Sequence, residues 1–76
     1  MTPETFIENA QRLESKMMAQ SLLRSTLLNM HEAATSRSDG EAENAYRLKL
    51  HTLLDDTLDT SNEFTKLKEN FVKSNR

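Results

Sequence analysis

From residue 46 to residue 71 an apolar or small side chain recurs at alternating intervals of four and three: Tyr46, Leu50, Leu53, Thr57, Thr60, Phe64, Leu67 and Phe71. Such spacing holds a stripe on one side of a helix and marks a seam in coiled-coil or antiparallel packing. The first part of the chain carries a matching stripe, Phe6, Ala10, Leu13, Met17, Gln20, Arg24 and Leu27, flanked by Leu23 and Met30. No helix breaker interrupts either stretch. Between them lies "TSRSDG", which holds the only glycine of the chain, Gly40. Its neighbours Thr35, Ser36, Ser38 and Asp39 favour turns and caps, because their short polar side chains compete for backbone hydrogen bonds.

The pattern predicts an all-α fold, an antiparallel and coiled-coil-like two-helix hairpin that makes residues 1–76 a single domain. Helix 1 is expected over about residues 3–35, the turn over about 35–40 and helix 2 over about 39–73. Thr2 is placed to cap helix 1, with Pro3 at its first position and Glu4 in its first turn, where a carboxylate suits the helix dipole. Ser38 and Glu41 have the spacing of a capping box for helix 2. Folding the chain about the turn pairs Phe6 with Phe71, Ala10 with Leu67, Leu13 with Phe64, Met17 with Thr60, Gln20 with Thr57 and Leu27 with Leu50. Small faces large and polar faces polar. The Gln20 and Thr57 layer is expected to set register, as buried polar seam residues do in coiled coils.

Composition sharpens this picture. A chain of 76 residues with one Gly, one Pro and no Trp buries little surface by itself, so it calls for a disulfide, a metal or a partner. The absence of cysteine removes the disulfide and any thiolate metal site, and fits a reducing compartment. A partner is left as the expected staple. Ten basic and twelve acidic side chains give a formal charge of −2, and the bases are scattered among acids. That distribution lacks the electrostatic footprint of a nucleic-acid binder. The opening "MTPETFIENAQ" has neither a basic nor an apolar leader segment, and no stretch is long and apolar enough to insert in a membrane, so a cytoplasmic protein is expected.

The densest cluster of reactive groups is "DDTLDTSNE", with Asp55, Asp56, Asp59 and Glu63. In the hairpin register Thr57 and Thr60 fall on the seam and the four carboxylates fall off it, as a solvated face. Asp59 and Glu63 are one turn apart, but paired carboxylates need a pocket that separates their pKa values, and a calcium loop needs a glycine between its ligands. His51 and Asp55 are also one turn apart, yet zinc takes at least three protein ligands. His31 lies near the turn and is expected to approach Tyr46. Catalytic residues, a metal site and a cofactor site are therefore not expected, and neither is an enzyme.

Eight large apolar side chains remain once the seam is filled: Ile7, Met18, Leu22 and Leu28 on helix 1, and Leu48, Leu54, Leu58 and Val72 on helix 2. On a molecule two helices thick they are candidates for an interface that completes a helical bundle, with a second copy or with another protein.

The length, the near-symmetric hairpin, the polar turn in "SRSDGEAENAY" and the aromatic Tyr46 leading into "YRLKLHTLL" resemble the YscE-like co-chaperones of bacterial type III secretion. The resemblance implies a small cytoplasmic, non-enzymatic protein linked to virulence. It would act with a second, repeat-containing chaperone to keep a needle or secretion subunit soluble. The alternative is a Rop-like homodimeric bundle acting as an RNA-binding or regulatory adaptor. That role asks for a row of Lys and Arg along one helix, and Arg12 with Lys16 makes only a short one.

Overall fold

The chain is an all-α hairpin, seen in a computed structural model that describes residues 1–74. Helix α1 spans Pro3–Ser36 and helix α2 spans Gly40–Ser74, packed side by side with no third layer. At about 1.5 Å rise per residue, helices of this length account for the long axis, and the Cα extents are 57 × 15 × 11 Å. The Cα radius of gyration is 17.2 Å, against about 11 Å for a compact domain of this length. Every core side chain is thus one residue away from water on two sides.

The termini of α1 follow from local chemistry. Thr2 is extended, and its hydroxyl accepts from the Thr5 amide at 3.2 Å, while Pro3 takes the first helical position, where no amide is needed. At the other end Arg37 caps α1, and Ser38 turns into the left-handed region with φ 57°. The Ser38 amide donates to the Thr35 carbonyl at 3.0 Å and the Asp39 amide to the Ala34 carbonyl at 2.9 Å. This pair of bonds is a Schellman motif, which satisfies carbonyls a helix end leaves open.

One expectation for the turn needs correction. The cap of α2 is Asp39, whose Oδ1 accepts from the Ala42 amide at 3.1 Å, and not Ser38. Ser38 is unable to serve because the Schellman motif places it at the left-handed position one residue earlier. Gly40 does not carry a positive φ and is the first residue of α2. The glycine and the strained position are two residues apart, which makes a direct prediction. Ser38→Gly should raise stability by about 1 kcal/mol by relieving the left-handed backbone. Gly40→Ala should add about 0.4–1 kcal/mol, because a Cβ there meets nothing within 4 Å. Thermal melts of the two single variants and the double check both. A drop for either would place the strain elsewhere.

The core is a single file. On α1 the buried side chains Leu13, Leu27 and Ala34 are joined by the partly buried Phe6 and Gln20, all at intervals of seven. On α2 Leu53, Thr60 and Leu67 repeat the same interval, with Tyr46 partly buried before them. The remaining α2 stripe residues, Leu50, Thr57, Phe64 and Phe71, are each partly buried. At the open end Phe6 stacks on Phe71 with ring centroids 4.3 Å apart, inclined by 28°. Such a pair contributes about 0.5–1.5 kcal/mol beyond its buried area.

In the middle of the seam the partner of Gln20 is Thr60, not Thr57. Gln20 Nε2 donates to Thr60 Oγ1 at 3.0 Å, and the same hydroxyl donates to the Asp56 carbonyl at 3.0 Å. The Thr57 hydroxyl donates to the Leu53 carbonyl at 2.8 Å. A seam side chain inserts between two residues of the facing helix and not directly opposite one, so the long amide reaches the more deeply buried of the two threonines. Met17 is the second departure. It is 40% exposed and lies at the edge of the seam, where Phe64 and Lys68 share its groove. Ala34 is the reverse case, a core residue beyond the end of the expected stripe, seven residues on from Leu27.

Candidate interaction surface

Asp55, Asp56, Asp59 and Glu63 are all exposed; Asp56 and Glu63 border the grooves that flank the buried file, and Asp55 and Asp59 line none of the grooves. Glu63 has Arg12 of α1 at 3.9 Å, with both side chains at least half in solvent, a pair worth about 0–1 kcal/mol. Among the described residues no group of three His, Asp or Glu is placed to hold a metal ion. His51 is exposed. His31 has Glu43 as its polar neighbour, with Nε2 3.8 Å from the carboxylate, and that carboxylate also accepts from Arg47 at 3.2 Å. Glu43 thus bridges the two helices across the turn, reaching His31 of α1 and, one helical turn on, Arg47 of α2.

The apolar surplus is arranged as follows. Leu28 and Leu54 come together in one groove between the helices, with Arg24, Leu50, His51 and Thr57. On the other side of the hairpin Leu48 lies in a groove with Leu23, Lys49, Thr52 and Asp56. Leu53 lines both, so the two grooves flank the buried file from opposite sides. Toward the open end, Ala10, Glu14, Met17, Ser61, Phe64, Thr65 and Lys68 form a further groove. There the Lys68 ammonium lies 4.6 Å from the centroid of Phe64, a cation–π contact worth about 0.5–1 kcal/mol in the open. Opposite it, Asn9, Arg12, Glu63, Lys66 and Asn70 make a polar groove over Leu13 and Leu67.

The two sides of the slab therefore differ. The side of Leu28 and Leu54 carries apolar side chains in both of its grooves, joined toward the open end by Glu14 and Lys68, while on the opposite side the exposed apolar side chains gather near the turn. Val72 lies in a shallow groove with Lys68, Glu69 and Lys73. Ile7, Met18, Leu22 and Leu58 are exposed, and none of them lines the grooves just described. Leu22, 71% exposed, is on the outer edge of α1. Exposure of isolated leucines is ordinary in small proteins, but apolar grooves with their side chains already converged are not.

Each of these grooves holds at most one carboxylate, and each opens to solvent along its length. What the geometry does offer is a ridge-and-groove surface of the kind another helix packs into. None of the described residues forms a helix long and apolar enough to cross a membrane. No protein-family model matches the chain, and no curated protein or solved structure is significantly similar to it.

Proposed function

We propose that this protein is a non-enzymatic interaction module that lends two helices to a bundle completed by another polypeptide. The observation that carries this is the groove in which Leu28 and Leu54 stand together, 43% and 59% exposed, beside a core that among the described residues holds five buried apolar side chains and Thr60. At about 0.8 kcal/mol per buried methylene, covering four such side chains rivals the whole stability of a domain this small.

A co-chaperone of the YscE-like kind is the specific form of this role. Its support is the size, the hairpin and the uncovered apolar face. In that role the hairpin stabilises a repeat-containing chaperone in the cytoplasm, and the chaperone grips a needle or secretion subunit. The scattered, partly paired bases, such as Arg12 beside Glu63, favour protein over RNA as the partner.

Co-expression with a type III secretion chaperone, followed by affinity purification and light scattering, tests the role. The expected result is a stoichiometric complex that Leu54→Glu abolishes and Leu22→Glu weakens less, because only Leu54 lines an interhelical groove. A complex indifferent to Leu54→Glu and Leu28→Glu would remove the proposed surface. A stable dimer that ignores the chaperone and shifts RNA in a gel would favour the Rop-like adaptor instead.

A further inference from the structure

The two grooves on the Leu54 side lie on continuous tracks. On α1, Ala10, Glu14, Met17, Ser21, Arg24 and Leu28 recur at intervals of four and three, and on α2 so do Leu50, Leu54, Thr57, Ser61, Phe64 and Lys68. Eleven of these twelve residues line one or the other groove. Spacing of this kind keeps each track on one face of its helix, so the grooves are successive stretches of a single face. The face is a second seam beside the buried one.

We infer that its occupant is a second copy of this chain, docked face to face with the two turns at opposite ends of a four-helix bundle. This rests on the helix-pairing role proposed above and names the partner. Charge decides the arrangement. A twofold axis across the waist of the hairpin sets Glu14 against Arg24 of the second copy, Ala10 against Leu28 and Met17 against Ser21. On α2 the same rotation sets Leu54 against Phe64, Thr57 against Ser61 and, at the two ends of the track, Leu50 against Lys68, whose stem covers the leucine while its ammonium reaches water at the rim. On α1 opposite charges meet and small side chains meet large ones; on α2 apolar meets apolar and hydroxyl meets hydroxyl in the middle of the track.

One axis serves both helices. It passes between Met17 and Ser21 on α1 and between Thr57 and Ser61 on α2, and the Gln20–Thr60 hydrogen bond holds these midpoints at nearly the same height. Docking with both turns at the same end fails the charge criterion. There α1 of one copy lies on α2 of the other, which sets Glu14 against Phe64 and Arg24 against Leu54. Glu14 and Arg24 would then each face an apolar residue, whereas turns at opposite ends pair them with one another, a selection against the same-end arrangement.

The exposed area agrees. The chain exposes 5806 Å², whereas a folded monomer of this mass exposes about 4,700 Å². The excess, about 1,100 Å² per copy, comes from the extended 57 × 15 × 11 Å shape and leaves surface enough for a homodimer interface of the usual size.

Sedimentation equilibrium at low salt, with charge-swapped variants, tests the pairing. Glu14→Arg or Arg24→Glu alone should raise the dimer dissociation constant at least about tenfold, and the double variant should return it to within about threefold of the parent. Within one chain the two residues are almost three turns apart, so rescue reports a contact between copies. The orientation has its own readout. The chain has no cysteine, so Arg37→Cys accepts one spin label beside the turn. The label-to-label distance should be about 50–55 Å for turns at opposite ends and below about 25 Å for turns at the same end.

A parent chain that stays monomeric to about 100 μM overturns the inference, as does a double variant without rescue or a short label distance. If the monomeric parent still forms a chaperone complex that Leu54→Glu abolishes, self-pairing fails and the helix-pairing role stands. If neither complex exists, both fail.

Discussion

Leu13→Ala is expected to lower the melting temperature by at least about 10 °C and to leave part of the chain unfolded at room temperature. Leu13 is 1% exposed, the most deeply buried large apolar side chain of α1. Truncating a buried leucine costs about 2–5 kcal/mol, from lost transfer energy and the cavity left behind. At the low end of the usual range, a domain of this length has about 4 kcal/mol of stability in total, so the loss is of the same size as the reserve. A file of single core residues also has nothing behind it to collapse into the gap. Met17 provides the internal comparison. It is one turn further along α1 and 40% exposed, so Met17→Ala should cost less than half as much. Equal melting temperatures for the two variants, measured by circular dichroism, would mean that α1 is rotated from the orientation described here.

The second large effect has the opposite sign. Gln20→Leu is expected to stabilise the hairpin by about 1–3 kcal/mol, which corresponds to a rise of about 5–15 °C. Gln20 donates one hydrogen bond to Thr60, but its Oε1 is buried with no partner. An unmet buried acceptor costs more than a neutral hydrogen bond returns. Removing the amide does not orphan Thr60, whose hydroxyl keeps its bond to the Asp56 carbonyl. Thr60→Val, by contrast, leaves the Gln20 amide without its acceptor and should destabilise. If both substitutions shift the melt in the same direction, the polar layer is not built as described. The three-residue turn between α1 and α2 already sets the register within one chain. The Gln20–Thr60 bond lies inside one chain, so Gln20→Leu should raise the melt without changing how the two helices pair.

How far the fold could be read beforehand differs from residue to residue. The α2 stripe from Tyr46 to Phe71 was legible because a helix burying one side must repeat its apolar positions every three or four residues, and nothing on α2 disturbs that phase. The turn was legible for a simpler reason: one run of short polar residues separates two long uninterrupted helical segments. Its interior was not. Propensity favours Gly40 for a left-handed position, yet Ser38 takes it, because the residue that turns is set by where α1 ends, a boundary that propensity resolves only to within one or two residues.

The same limit explains the Gln20 layer. Periodicity gives the phase of each helix, but a seam side chain reaches one of two facing residues, and the small offset between the helices decides which. Met17 has the same heptad phase as Ala10 and Arg24, near the boundary between the two seams, so it reads as core although it stands at the edge. Ala34 was missed because a lone alanine near a polar turn carries little signal. Extending the seven-residue interval from Leu27 would have found it. The surplus leucines were legible as a group, but their division between two sides of the slab, with only Leu28 and Leu54 meeting in one groove, needed both helices in place.

The most direct test of a hairpin completed by association is the melting temperature of the parent chain as a function of its own concentration. When folding and association are linked, mass action stabilises the folded state as concentration rises. Across a hundredfold range the midpoint should climb by at least about 5 °C, and Leu54→Glu should flatten that dependence. A midpoint that does not move with concentration, in a chain that sediments as a single 8.7 kDa species throughout, would contradict it.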